Sequence, residues 1–212
     1  MQLQISRVNG TPKVQLCNFN TSHPNWQPKT ANNFSSTRLQ NNYEATQIER
    51  ANISAYKNGI ALKIAFTVKN NLKKPLKNVK IHVAHCDANG IDANDYYNGS
   101  AGENWLTGYQ LTNKDGNCNF ETIFPGWQSG RVTHIKLTIT LPNGYIERRN
   151  IYLPKNILNL VYQTPHYTKG INPIAITGDV SLQGDIKTYN KNLLQIKGNL
   201  TTGYNGFFDL ML

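Results

Sequence analysis

The 212-residue sequence has no apolar stretch approaching 18 residues, the length that a membrane-spanning helix requires. Its first 15 residues alternate polar and apolar side chains and lack the hydrophobic block of a secretory leader, although a mature chain with its leader removed looks the same. Acidic charge is scarce: 12 Asp+Glu stand against 22 Lys+Arg, a formal net charge of +10. Cysteine is scarce too. Cys17, Cys86 and Cys118 form no Cys-x-x-Cys pair and no zinc spacing, and they allow at most one disulfide. No Gly-rich loop opens a helix, so dinucleotide and P-loop sites are excluded. Neither a Gly-x-Ser-x-Gly elbow nor a His-Glu-x-x-His pair occurs, which removes the hydrolase elbow and the zincin centre. Aromatic residues make up 10% of the chain but are not arranged as an RNA-stacking motif, so nucleic acid is not an expected partner.

What the sequence does hold is polar but uncharged. Only 16% of residues are charged, while Asn occurs 29 times. Hydrophobic residues at 39% suffice for a core in a chain of this length. Residues 1–42 form an irregular segment rich in Asn, Ser, Thr and Pro. From residue 43 to 212 the pattern is that of strands. Ile60–Val68 and Val79–Val83 are joined through Pro75 by a turn. Leu106–Leu111 and Asn119–Phe124 flank Asn113-Lys114-Asp115-Gly116, a hairpin signal, and His134–Leu141 and Tyr145–Leu153 flank Pro142-Asn143-Gly144, a second. Leu193–Leu200 and Gly206–Leu212 make a third candidate pair. One short helix is predicted after Pro154 and ends before Pro165. Short strands at this spacing predict an all-β protein, a sandwich or a barrel. Five lysines between Lys69 and Lys80 have the composition of a solvated turn beside a lysine-protected edge strand. The alternative is a basic surface for an anionic polymer.

Two stretches carry more than pattern. One is Ile81-His82-Val83-Ala84-His85-Cys86-Asp87-Ala88-Asn89-Gly90. The other runs from Gly108-Tyr109-Gln110-Leu111-Thr112-Asn113-Lys114-Asp115-Gly116 to Pro125-Gly126-Trp127-Gln128-Ser129-Gly130-Arg131-Val132-Thr133-His134-Ile135-Lys136. In order, spacing and residue type they resemble the signatures of the intradiol ring-cleavage dioxygenases, in particular the short, often exported branch. The resemblance extends over roughly residues 60–212, with Leu193–Gly198 and Gly203–Leu212 similar to the last two strands. It implies an antiparallel β-sandwich with long loops, a non-haem Fe(III) cofactor held by two Tyr and two His, cleavage of catechol-type rings, and export to the periplasm or cell surface.

Carried over residue by residue, the implied ligand positions are mostly substituted. The first Tyr position is Asp92, the second is Gln128, the first His is His134 and the second is Lys136. The Arg that stabilises substrate charge in the family is present as Arg131. Both phenolates, which offset the charge of Fe³⁺, are absent from their positions. Two unit charges 4 Å apart interact by about 4 kcal/mol at an effective dielectric of about 20, and a trivalent ion triples this, so Lys136 opposes a ferric ion on that scale. Three functions remain open. The first is a sandwich that has lost its iron and binds a small anionic or polyhydroxy ligand, or a protein partner, with the cleft of Asp92, Gln128, Arg131, His134 and Lys136 vestigial; no cofactor is expected. The second is an active dioxygenase with a rearranged iron site, in which a metal is held at most by His134 with Asp92 or with Tyr96 or Tyr97. The third is a basic surface protein that binds an anionic polymer. In the strand Val79–Val83, His82 is expected to be exposed, while His85, beyond it, is expected to be a hydrogen-bonded structural histidine.

Overall fold

The computed structural model describes residues 47–212, together with two strands nearer the N-terminus. These two, β1 (Ser6–Val8) and β2 (Thr11–Lys13), pair antiparallel with Ser6 opposite Lys13. They add regular structure to a segment predicted as irregular; the rest of residues 1–42 and the boundary at 42/43 lie outside the described residues. The chain divides into two compact units, Met1–Leu39 and Gln40–Leu212. All that follows concerns the second.

Two four-stranded sheets build it. One has the order β6 (Asn117–Ile123), β3 (Ala61–Lys69), β10 (Gly203–Met211), β9 (Gln195–Asn199). The other has the order β5 (Thr107–Leu111), β4 (Lys80–Ala84), β7 (His134–Thr140), β8 (Ile146–Tyr152). Every neighbour is antiparallel except β3 and β10, which run parallel with Leu62 opposite Tyr204. Alternation sends Leu62, Ile64, Phe66 and Val68 of β3 and Tyr204, Phe208 and Leu210 of β10 inward. They meet Ile81 and Val83 of β4 and Ile135, Leu137 and Ile139 of β7 in one core. Phe66 packs edge-on against Phe120 and Phe208, at centroid distances of 5.8 and 6.3 Å. Each fully buried side chain of this size contributes about 1.5–3 kcal/mol of burial free energy.

The pairing corrects one sequence expectation. Asn113–Gly116 does turn, with Asn113 Oδ1 accepting from Asp115 N–H (2.9 Å) and Asn117 N–H (3.0 Å). The strands it joins are not a hairpin: β5 lies in one sheet and β6 in the other, so this turn is a corner of the sandwich. Gly116 sits there at φ +75°, and a Cβ on it would lie 2.4 Å from Val68 O. Gly116→Ala is therefore expected to destabilise the fold by about 2 kcal/mol or more, read as a shift in the urea midpoint. The Pro142–Gly144 turn does join a hairpin, with Thr140 opposite Ile146 in β7–β8, and β9–β10 is the third pair. The predicted helix is α1 (Lys155–Val161); a second, α2 (Ile186–Lys191), and a 3₁₀ turn at Ile176–Gly178 add to it.

The outer strands β5 and β6 are tied together by the segment before β3. Tyr109 N–H donates to Ile48 O (2.9 Å) and Arg50 N–H to Tyr109 O (3.1 Å) on β5. Ile53 N–H donates to Glu121 O and Glu121 N–H to Ala51 O on β6, both at 2.9 Å. This strap covers two edges that would otherwise present open backbone groups. The lysine-rich stretch is not on an edge strand. β4 is internal to its sheet, and Lys73, Lys74 and Lys77 are exposed in the β3–β4 connection, where Asn70 Oδ1 accepts from Leu72 N–H and Lys74 N–H.

Candidate functional site

The loop after β4 is organised by Asp87. Its Oδ1 accepts from Asn89 N–H (2.9 Å) and Ile91 N–H (3.0 Å), and its Oδ2 pairs with Lys57 Nζ at 2.9 Å. Its carbonyl accepts from Gly126 N–H at 2.9 Å, which stitches this loop to the Pro125–Trp127 turn. The two backbones are so close that a Cβ on Gly126 would lie 2.4 Å from Ala88 O. Trp127 is fixed by Nε1–H donation to Gly170 O (2.9 Å) and by Lys169 Nζ, 4.0 Å from its ring centroid. These motif residues hold two loops together, and the residues beside them converge on a cleft.

Asp92, Gln128, His134 and Lys136 line that cleft with His85, Cys86, Gly126 and Thr133. Lys136 Nζ lies 2.5 Å from Asp92 Oδ2, and Gln128 Nε2 donates to the same oxygen at 3.2 Å. The cleft leaves no space for a water molecule. His134 Nδ1 donates to Val132 O at 2.9 Å, so the lone pair is on Nε2. Burial lowers the His134 pKa to about 4, with the charges of Arg131 and Lys136 adding to the effect, so the imidazole is neutral at pH 7. His85 is buried, with Nδ1 at 2.8 Å from Cys86 O and Nε2 at 2.7 Å from Thr122 Oγ1. Both ring nitrogens are engaged, and burial lowers its pKa to about 4. Burial also pushes the Cys86 thiol up to about 12, which leaves it protonated and unreactive.

His82 departs from expectation. It is buried, with Nε2 at 3.0 Å from Thr107 Oγ1, because the neighbouring strand β5 packs alongside it, and burial lowers its pKa to about 4.

Arg131 is the candidate that does not line the cleft. Its Nε lies 3.3 Å from Asp179 Oδ2, and its Nη2 donates to Ser181 Oγ at 3.0 Å. Asp179 is fully buried and accepts from Val132 N–H (2.6 Å), Ser181 N–H (2.8 Å), Ser181 Oγ (2.7 Å) and Leu182 N–H (2.9 Å). Burial alone would raise its pKa, but the hydrogen bonds from Ser181, Leu182 and Val132 outweigh that and hold it far below the usual carboxylate range. The sequence reading missed Asp179, whose 48-residue separation from Arg131 carries no local signal.

Tyr96 and Tyr97 do not enter the cleft. Asp95 Oδ1 accepts from Tyr97 N–H (3.0 Å), and Ser100 Oγ donates to Asp92 O (2.6 Å), which ties the loop back on itself. The two phenol side chains face solvent, 81% and 95% exposed, and meet each other edge-on.

No protein-family profile and no curated sequence matches the chain. Solved structures do. An intradiol ring-cleavage dioxygenase from Tetranychus urticae superposes with a TM-score of 0.69 at 22% identity, over 78% of this chain and 86% of that one. The dioxygenase domain of a dioxygenase–carbohydrate-binding protein fusion from Streptomyces sp. SirexAA-E gives 0.54 at 22% identity, over 78% and 88%. The 3-chlorocatechol 1,2-dioxygenase of Rhodococcus opacus 1CP gives 0.55 at 13% identity, over 78% and 66%. The fold is that of the intradiol ring-cleavage dioxygenases.

The donor set in the cleft does not fit the ferric ion of such dioxygenases. Where the resemblance places two phenolates and a second imidazole there are a carboxylate already engaged by an ammonium, an amide and the ammonium itself. Among the described residues, no three His, Cys, Asp or Glu side chains come together in a group able to hold a metal ion. No described helix is long and apolar enough to cross a membrane.

Proposed function

We propose that this protein is a dioxygenase-fold chain that works as a non-catalytic binding or interaction module, its ferric centre replaced by an ion pair. The observation that carries this reading is the 2.5 Å contact between Lys136 Nζ and Asp92 Oδ2, with Gln128 Nε2 on the same oxygen. The ammonium supplies the positive charge that Asp92 would otherwise take from a metal, and Gln128 occupies a lone pair of the same carboxylate. Asp92 and Lys136 keep partial contact with solvent, so the pair gains about 1 kcal/mol or less and serves chiefly to neutralise the cleft. Because the cleft leaves no space for a water molecule, a small anion or polyhydroxy ligand would sit outside it, at the mouth, against Lys136, which keeps partial contact with solvent. A protein partner on the surrounding loops is the other form of the same module. The loop geometry that turns Tyr96 and Tyr97 outward supports loss of catalysis over a rearranged iron site, and the diversion of Arg131 to Asp179 supports it further.

The test is oxygen uptake with catechol, using the purified chain after incubation with ferrous iron and removal of excess metal. No uptake above an iron-only control is expected. Ring cleavage that persists after desalting, and that is lost in Tyr96→Phe/Tyr97→Phe, would establish a rearranged catalytic centre instead.

A further inference from the structure

A second hollow shares only Thr133 with the Asp92 cleft. It encloses about 240 Å³ between the residue before β7, the helix α1 and the segment 172–176. Its walls are aliphatic: Val132, Leu153, Leu158, Ile174 and Ile176. The polar groups at its floor are engaged with one another. Thr133 Oγ1 lies 2.7 Å from the Tyr162 hydroxyl, which donates to Pro125 O at 3.1 Å. Asn172 Nδ2 donates to Arg131 O at 2.9 Å and to Thr133 Oγ1 at 3.3 Å. The floor therefore offers little hydrogen bonding to a ligand.

The remaining polar side chains around it are different. Lys155 and Asn159, one helical turn apart on α1, have no side-chain hydrogen-bond or ion-pair partner among the described residues. The Tyr189 hydroxyl makes one long contact, 3.4 Å to Leu153 O. No Asp or Glu is among the residues that line the hollow, so Lys155, which is exposed to solvent at its edge, has no carboxylate beside it there.

We propose that this hollow binds a small apolar monocarboxylate. A ring or short alkyl body fits between the aliphatic walls, since an apolar cavity of about 150 Å³ already admits benzene. The carboxylate is placed at Lys155 and Asn159, where a charge-assisted hydrogen bond replaces solvent. A neutral apolar molecule would leave Lys155 unused, and a dianion would find one cation only. The site stands apart from the ion-paired cleft and does not depend on whether that cleft holds iron.

Backbone amide NMR of the full chain tests it, with benzoate titrated against benzyl alcohol and hexanoate against 1-hexanol. Saturable shifts are expected at residues 153–162 and 172–177, with each acid binding at least tenfold more tightly than its alcohol. Lys155→Gln is expected to abolish that tenfold preference while leaving the alcohols unchanged. Ile176→Trp, which fills the hollow from its rim, is expected to abolish binding of all four; Ala175→Trp, at an exposed rim position, serves if Ile176→Trp fails to fold. Equal binding of acid and alcohol would overturn the anionic class. Shifts confined to Asp92, Gln128 and Lys136 would overturn the location, and no saturable shift would overturn the site.

Discussion

A chain carrying Asp92→Tyr, Gln128→Tyr and Lys136→His together is expected to purify with close to one equivalent of ferric iron and a visible absorption band. The three positions line one cleft with His134, whose Nε2 lone pair is available because Nδ1–H is given to Val132 O. The triple change restores the two-phenolate, two-imidazole set that the family resemblance implies. It also removes an ammonium whose repulsion of a trivalent ion is about 12 kcal/mol at 4 Å and an effective dielectric of about 20, before other ligands screen it. The three single variants are expected to remain colourless. Any one of them still leaves two of the substituted donors in place, so the gain is strongly non-additive. Asp92, Gln128 and Lys136 all keep partial contact with solvent, so the larger side chains are expected to extend toward the mouth. Iron content measured by plasma spectrometry, with the absorption spectrum, checks it. A triple variant that keeps the parent's far-ultraviolet circular dichroism and stays metal-free would contradict the assignment of these positions as former ligand sites.

The second large effect concerns stability. Asp179→Ala is expected to cost about 3–5 kcal/mol, measured by urea unfolding at pH 7. It removes the acceptor for the backbone N–H groups of Val132, Ser181 and Leu182 at a fully buried position, and it strips Arg131 of its counter-ion. Arg131→Ala, at a side chain that retains partial contact with water, is expected to cost clearly less. The pH dependence follows from linkage. The folded-state pKa of Asp179 is depressed below its unfolded value near 3.9, so its contribution is complete above about pH 4–5. It fades as the pH falls from there toward the folded-state pKa. The stability difference between the parent and Asp179→Ala should therefore shrink between about pH 4 and pH 2. A difference that stays constant over that range would show that Asp179 acts by shape rather than by charge.

Strands β3, β6 and β10 were legible because one face of each is buried. Leu62-x-Ile64-x-Phe66-x-Val68 can satisfy only a half-buried strand. Their partners were less legible. Asn113–Gly116 has the local chemistry of a hairpin, yet that chemistry fixes only the turn. β6 is received by the sheet of β3, where Phe120 of β6 meets Phe66 of β3. The parallel pairing of β3 with β10 joins segments about 140 residues apart and leaves no local mark. His82 was misread because alternation was taken to mean one wet face, while three successive residues of β4 are buried and His82 meets Thr107 of the neighbouring strand β5.

Within the site, the family resemblance named Asp92, Gln128, His134 and Lys136, and these four line one cleft. It did not reveal that Lys136, and not Arg131, would pair with Asp92. Arg131 is paired instead with Asp179, held in a loop with no periodicity. The second hollow was invisible for a similar reason. Lys155 and Asn159 lie on a short helix, and only the folded chain sets the segment 172–176 across from it.

The most direct measurement is anomalous diffraction at the iron edge from crystals soaked in ferric salt. The ion-paired cleft predicts no peak beside His134 Nε2 and Lys136 Nζ still within hydrogen-bond distance of Asp92. An iron peak there, bonded to a phenolate oxygen of Tyr96 or Tyr97, would contradict it.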